Sequence, residues 1–176
     1  MVKNFSILCC IVVVAANSFA QNIDYEKLGD NLQLALPVSA LVSTFFWKDD
    51  QKAPLQFTKT IGMSFVVTHG LKRVINKERP NGDDYSFPSG HTSIAFTGAA
   101  FIERRYGYKT GVPAYLLASY VGWSRVNANK HDYWDIIGGA IIGIGSAYLF
   151  TKPFKKANLD MGYLNNNPVL SVTIYL

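Results

Sequence analysis

A chain of 176 residues, 49% of them hydrophobic and only 16% charged, is enough for one compact domain and leaves little room for a second. Its formal charge is +5 at pH 7, but no basic run carries the interleaved aromatics of a nucleic-acid surface, so nucleic acid is excluded as a partner. The cationic excess is read instead as serving an anionic small group or a membrane surface.

The first twenty residues follow the plan of a secretory signal. Lys3 lies near the start, an apolar stretch runs over 5–16, and Ser18-Phe19-Ala20 forms a small-x-small ending before Gln21. The same stretch also fits an uncleaved first membrane helix. Cys9 and Cys10 both fall inside it, so the processed chain holds no cysteine, which removes disulfide, thiolate and cysteine-metal chemistry.

Five apolar stretches follow, over 32–47, 57–72, 92–104, 112–125 and 134–150, each about one helix long. Segments rich in Lys, Asp, Gly and Pro separate them and mark connections rather than strands. The expected fold class is all-α, a compact bundle of about five or six helices. Pro80, Pro88 and Pro113 are read as lying outside the helices, where a missing N–H does least harm. The last stretch is the best candidate for a bilayer span. Arg104, Arg105 and Lys109 follow the third stretch and Lys152, Lys155 and Lys156 the fifth, so the positive-inside rule puts both groups in the cytoplasm. Segments 73–91 and 126–133 then lie together on the opposite side. Tyr106, Tyr108, Trp123, Tyr133 and Trp134 near helix ends suit interfacial belts as well as core edges. The tail from Leu159 to Leu176 has an Asn-rich turn at 165–168 and a strand-like run at 169–176. The expected divisions are a signal or membrane helix at 1–20, a helical domain at 21–156 and a tail at 157–176.

Three clusters carry chemistry. Lys72 and Arg79-Pro80 set one cation seven residues before another, a spacing that two helical turns would bring to nearly one face. Pro88-Ser89-Gly90-His91-Thr92-Ser93 leads from a turn into a helix, whose N-terminal N–H groups and dipole can cradle an oxyanion. Ser124-Arg125 precedes His131 and Asp135, an imidazole and a carboxylate at i, i+4, where the carboxylate can orient the ring. Singly, each has a structural reading: a helix cap, a satisfied core histidine, a turn, a structural hydrogen bond. Together, three cations, a Ser-Gly helix entrance and two histidines are the complement of a tetrahedral phosphate with a departing oxygen. Asp83 and Asp84 are assigned to a solvated turn rather than to a metal. Glu78, Glu103 and His69 are assigned to helix ends or packing, with His69 one turn before Lys72.

At these residues the sequence resembles the type 2 phosphatidic acid phosphatase (PAP2) superfamily. Lys72-x6-Arg79-Pro80, Pro88-Ser89-Gly90-His91 and Ser124-Arg125-x5-His131-x3-Asp135 are similar, in order, to its tripartite signature. The resemblance covers about residues 57–150, and only seven residues separate Pro80 from Pro88, shorter than in many members. It implies a metal-independent, cofactor-free phosphatase working through a phosphohistidine. His131 is then the nucleophile, Asp135 its orienting carboxylate and His91 the acid and base, while Lys72, Arg79, Ser89, Gly90 and Arg125 bind phosphate. The implied substrates are membrane lipid phosphates or diphosphates of the phosphatidate, phosphatidylglycerophosphate, isoprenoid or lipid A kind, reached from the periplasmic face of a bacterial inner membrane. Two rivals are a soluble periplasmic acid phosphatase of the same superfamily and a non-catalytic protein that binds an anionic headgroup. A vanadate-dependent haloperoxidase shares the cradle, but its scaffold is larger than this chain provides.

Overall fold

The structure, a computed structural model, describes residues 24–45, 52–154, 158–164 and 167–173, the last two segments by their backbone. The signal-like segment, both cysteines, Lys155 and Lys156 lie outside the described residues.

Among the described residues five helices alternate up and down: α1 (Tyr25–Ser43), α2 (Ala53–Ile75), α3 (Gly90–Tyr106), α4 (Tyr108–Asn127) and α5 (Tyr133–Phe150). The all-α reading holds for the body of the chain. Helix α1 begins seven residues before its apolar stretch, because Asp24 caps it by accepting from the N–H groups of Glu26 and Lys27 at 3.2 and 3.1 Å. Helix α2 stops at Asn76, whose φ of 41° is left-handed and whose N–H returns to the Lys72 carbonyl. Pro113 corrects the sequence reading: it sits inside α4, which starts four residues before the apolar run. Pro37 is likewise inside α1.

Helix α3 is the axis of the bundle and packs on the other four. Its buried face is built of small residues, Ser93, Ala95, Thr97, Gly98, Ala99 and Ala100. They let neighbours approach closely: a Cβ on Gly139 of α5 would fall 2.6 Å from the Ser89 carbonyl oxygen, and one on Gly143 would fall 2.5 Å from that of Ser93. One core cluster joins Leu36, Ala95, Ala99, Ala114, Ala118 and Val121, and a second joins Ala40, Phe57 and Phe101. Hydroxyls bind α2 to α3, with Ser64 and Thr68 each 2.8 Å from Oγ of Ser93. Meanwhile the large apolar side chains face outward, Val74 at 81% exposed and Leu116 and Leu149 at 68%. Among the described residues one helix, α5, is long and apolar enough to cross a bilayer.

The alternation brings the α2–α3 and α4–α5 connections and the start of α1 to one end, and Arg104, Arg105 and Lys152 to the other. At that other end the N–H of Phe154 bonds the Arg105 carbonyl at 2.9 Å. The tail is a hairpin rather than a lone strand: β1 (Asn158–Leu164) pairs antiparallel with β2 (Asn167–Thr173), Tyr163 opposite Pro168. Asn167 and Pro168, expected in a turn, belong to β2, and 165–166 lie outside the described residues; the strand missed in the sequence is β1, whose Asn, Asp and Gly mask its pairing.

Candidate active site

The three clusters meet at the connected end of the bundle, around a cavity of about 350 Å³. Lys72, Arg79, Gly90, His91, Arg125 and His131 line it, and Ile61, Phe65, Ile94 and Gln33 extend its wall between α1, α2 and α3. His69 also lines it and packs against the Phe65 ring, with centroids 4.1 Å apart.

Lys72 and Arg79 arrive by a different route from the one their spacing suggested. The helix ends between them, and Arg79 stands in a turn where its N–H bonds the Asp83 carbonyl and Gly82 returns to its own carbonyl. Proline at position 80 disfavours helix at Arg79, so the cation is delivered by a loop. Its Nε is buried and has no hydrogen-bond partner. Lys72 Nζ donates to the carbonyl of Tyr85 at 2.6 Å, which Tyr85 presents from a left-handed conformation with φ 61°.

Ser89 caps α3. Its hydroxyl accepts from the Thr92 hydroxyl at 3.0 Å and the Thr92 N–H at 3.4 Å, and its own N–H bonds the Asp135 carbonyl at 2.9 Å. It is fully buried behind the cavity wall, whereas Gly90 lines the cavity. A Cβ on Gly90 would meet only the Lys72 Cε at 3.8 Å and a Thr68 methyl at 4.0 Å, ordinary contacts. Packing therefore does not demand glycine there. What the missing side chain leaves open is the cavity itself.

His131 and Asp135 are both buried, at 3% and 0% exposure, with Nδ1 of the ring 3.3 Å from Oδ2 of the carboxylate. The Asp132 N–H donates to the same oxygen at 3.0 Å, and the Ser86 hydroxyl donates to it as well. Asp132 accepts in turn from the Asp135 N–H, closing a capping box on α5. Lys77 donates to Oδ1 of Asp135 at 2.9 Å and to Asp132. A carboxylate held by this many donors stays ionised and keeps the proton of the imidazole on Nδ1, which leaves the Nε2 lone pair to the cavity. Burial, then the nearby Lys72 and Arg79, push the His131 pKa from 6.5 down to about 4, against the pull of Asp135. Lys77 is shifted upward: burial opposes its charge, and its bonds to Asp132 and Asp135 outweigh that.

His91 stands in the first turn of α3, with Nε2 3.1 Å from Oδ1 of Asp30. Arg125 is 1% exposed and gives Nη1 to the same oxygen at 2.8 Å, Nη2 to the Glu26 carbonyl at 2.8 Å and Nε to the Ser124 hydroxyl at 3.2 Å. Sequence reading missed Asp30, Lys77 and the bonding of Ser86. Asp30 and Lys77 lie in polar stretches with no pattern of their own, and only Ser86, beside Phe87-Pro88, flanks a motif. Among the described residues no group of three or more acidic, His or Cys side chains is placed to hold a metal ion.

An antiparallel helical bundle with a cation-ringed cavity, a buttressed imidazole and a second imidazole beside it defines a phosphoryl-handling enzyme. The PAP2 superfamily profile matches residues 77–159. The lipid A 4'-phosphatase of Helicobacter pylori is 35% identical over 142 residues, covering 74% of this chain and 71% of that protein. A lipid A 1-phosphatase of Porphyromonas gingivalis is 31% identical over 125 residues, covering 65% of this chain and 28% of that larger protein. Two crystal structures share the fold. Aquifex aeolicus LpxE has a TM-score of 0.61 at 24% identity, covering 71% of this chain and 81% of that one. The transmembrane PAP2-type phosphatidylglycerolphosphate phosphatase of Bacillus subtilis has a TM-score of 0.56 at 21% identity, covering 85% and 94%. The chain belongs to the PAP2 superfamily and is a phosphatase of that type.

Proposed function

We propose that the chain dephosphorylates a membrane lipid phosphate, with a phosphorylated saccharolipid of the lipid A kind as the leading substrate, through a phosphohistidine and without a metal ion. The observation that carries this reading is that His131 and His91 line one cavity with Lys72, Arg79 and Arg125. Names of relatives that act on lipid A and on lipid phosphates support the substrate class.

Nε2 of neutral His131 attacks phosphorus in line; the N–P bond forms as the bond to the leaving oxygen breaks, and that oxygen takes a proton from His91. Water then attacks the phosphohistidine, gives its proton to His91 and frees His131 with release of phosphate. Lys72, Arg79 and Arg125 neutralise the equatorial oxygens, the Gly90 N–H faces them from the start of α3, and Ser89 shapes that turn. The apolar wall of Ile61, Phe65 and Ile94 suits the acyl end of a lipid.

The outward-facing large apolar residues and the interior of Gly, Ala, Ser and Thr are the pattern of helices packed in a bilayer, which disfavours the soluble rival. The proposed setting is the inner membrane with the site on the periplasmic side.

The test is phosphate release by detergent-solubilised protein in EDTA, with lipid A, phosphatidate, phosphatidylglycerophosphate, undecaprenyl diphosphate and an aryl phosphate. Turnover of a lipid substrate that falls at least about 1,000-fold in His131→Ala is the expected result. Undiminished turnover in that variant, or strict need for an added divalent cation, overturns the mechanism.

A further inference from the structure

Helix α1 carries none of the three motifs and lies outside residues 77–159 matched by the family profile. Its first turns nevertheless contact two residues that line the cavity, His91 and Arg125. The oxygen Oδ1 of Asp30 is 2.8 Å from Nη1 of Arg125 and 3.1 Å from Nε2 of His91, so one carboxylate oxygen touches two motif side chains on two other helices. One turn earlier, the Glu26 carbonyl receives Nη2 of Arg125 at 2.8 Å and the Glu26 carboxylate pairs with Lys130.

Gly29 provides an independent sign that this contact is built. A Cβ there would lie 2.1 Å from Oγ of Ser124 and 2.9 Å from Nη2 of Arg125. Any side chain at position 29 would lift α1 off the Ser124-Arg125 pair and take Asp30 with it. Small packing at one residue and a bridging acid at the next fix the register of α1 against the site.

We propose that Asp30 is a positioning residue for phosphoryl transfer, aligning His91 and Arg125 through a single carboxylate oxygen. This rests on the reading of the site given above. Arg125 is buried and each of its three nitrogens is held by one partner, Asp30, the Glu26 carbonyl or Ser124, which fixes the plane of the guanidinium and leaves one N–H on each terminal nitrogen for phosphate. The same oxygen, 3.1 Å from Nε2 of His91, fixes the orientation of the ring that gives a proton to the leaving oxygen. Asp30 acts through these two residues and does not touch phosphorus.

A proton donor matters most when the leaving group is poor, so the experiment compares a long-chain alkyl phosphate with dinitrophenyl phosphate. The proteins are wild type, Asp30→Asn, Asp30→Glu, His91→Ala and the double variant Asp30→Asn/His91→Ala, each checked for helix melting in detergent. Asp30→Asn is expected to lower kcat/KM for the alkyl ester about 10- to 100-fold, at least about tenfold more than for the aryl ester. Asp30→Glu is expected to recover part of the loss, and the double variant to lose several-fold less than the product of the two single losses, because the share of the effect that runs through His91 is already gone while the share through Arg125 remains. Equal losses on both esters, or losses that multiply in the double variant, overturn the inference; if Asp30→Asn fails to fold, Asp30→Glu decides by the same comparison. Active wild type with an unaffected Asp30→Asn overturns the role of Asp30 alone, whereas wild type without turnover on either ester overturns the reading of the site as well.

Discussion

The ammonium group of Lys77 lies 2.9 Å from Oδ1 of Asp135, a carboxylate closed off from solvent at the start of α5. That ion pair ties the α2–α3 loop to the helix end that orients His131. Lys77→Met removes the charge and leaves Asp135 with its Ser86, Asp132 and His131 contacts. The expected cost is about 1–3 kcal/mol in thermal or denaturant melts, with kcat lowered about tenfold. A variant as stable and active as wild type would remove Lys77 from the account.

Because His131 titrates at about 4 rather than 6.5, its ring is neutral across the acidic range in which an ordinary histidine gains a proton. The unfolded chain takes up that proton first as pH falls. The contribution of this residue to stability is therefore complete above pH 6.5, declines from there toward pH 4 and levels off below. NMR of ¹⁵N-histidine protein, with His131→Asn for assignment, should show this ring neutral at pH 5. Titration near 6.5 would contradict the burial and charge arrangement.

Two glycines separate packing from function. Gly139→Ala drives a methyl into the Ser89 backbone and should cost about 1–3 kcal/mol. Gly90→Ala meets only ordinary contacts, so its melting should stay near that of wild type while kcat/KM falls about tenfold or more, since the methyl enters the cavity beside Lys72. Equal stability losses in the two variants would refute the distinction.

Arg79 offers a buried Nε with no protein partner. Replacing it with lysine breaks no hydrogen bond at that nitrogen, yet it exchanges a planar fork for a point charge. Arg79→Lys is expected to keep its melting temperature within about 3 °C of wild type and to weaken inhibition by inorganic phosphate about tenfold. Unchanged inhibition would place the phosphate elsewhere.

The sequence was most legible where chemistry is concentrated. Five apolar runs and their punctuation located five helices, and the motif residues Lys72, Arg79, Gly90, His91, Arg125 and His131 do line one cavity. It was least legible where polar residues do structural work. The first two turns of α1 carry Glu26, Lys27 and Asp30, so hydropathy begins the helix too late and hides the residue that reaches His91. Seven residues from Lys72 to Arg79 look like two turns, but a left-handed Asn76 and a proline after Arg79 replace the helix with a loop. Ser89 reads as a phosphate ligand and sits as a helix cap, because a hydroxyl before a helix has backbone donors nearer than any substrate.

The capping box at Asp132 and Asp135 has a consequence for when the protein can act. Asp135 both closes the first turn of α5 and holds the ring of His131, so fraying of that turn also releases the ring. A chain that has not yet formed the start of α5 carries every motif residue and lacks the contact that orients His131. On the mechanism proposed above, the chain is latent until that helix end forms.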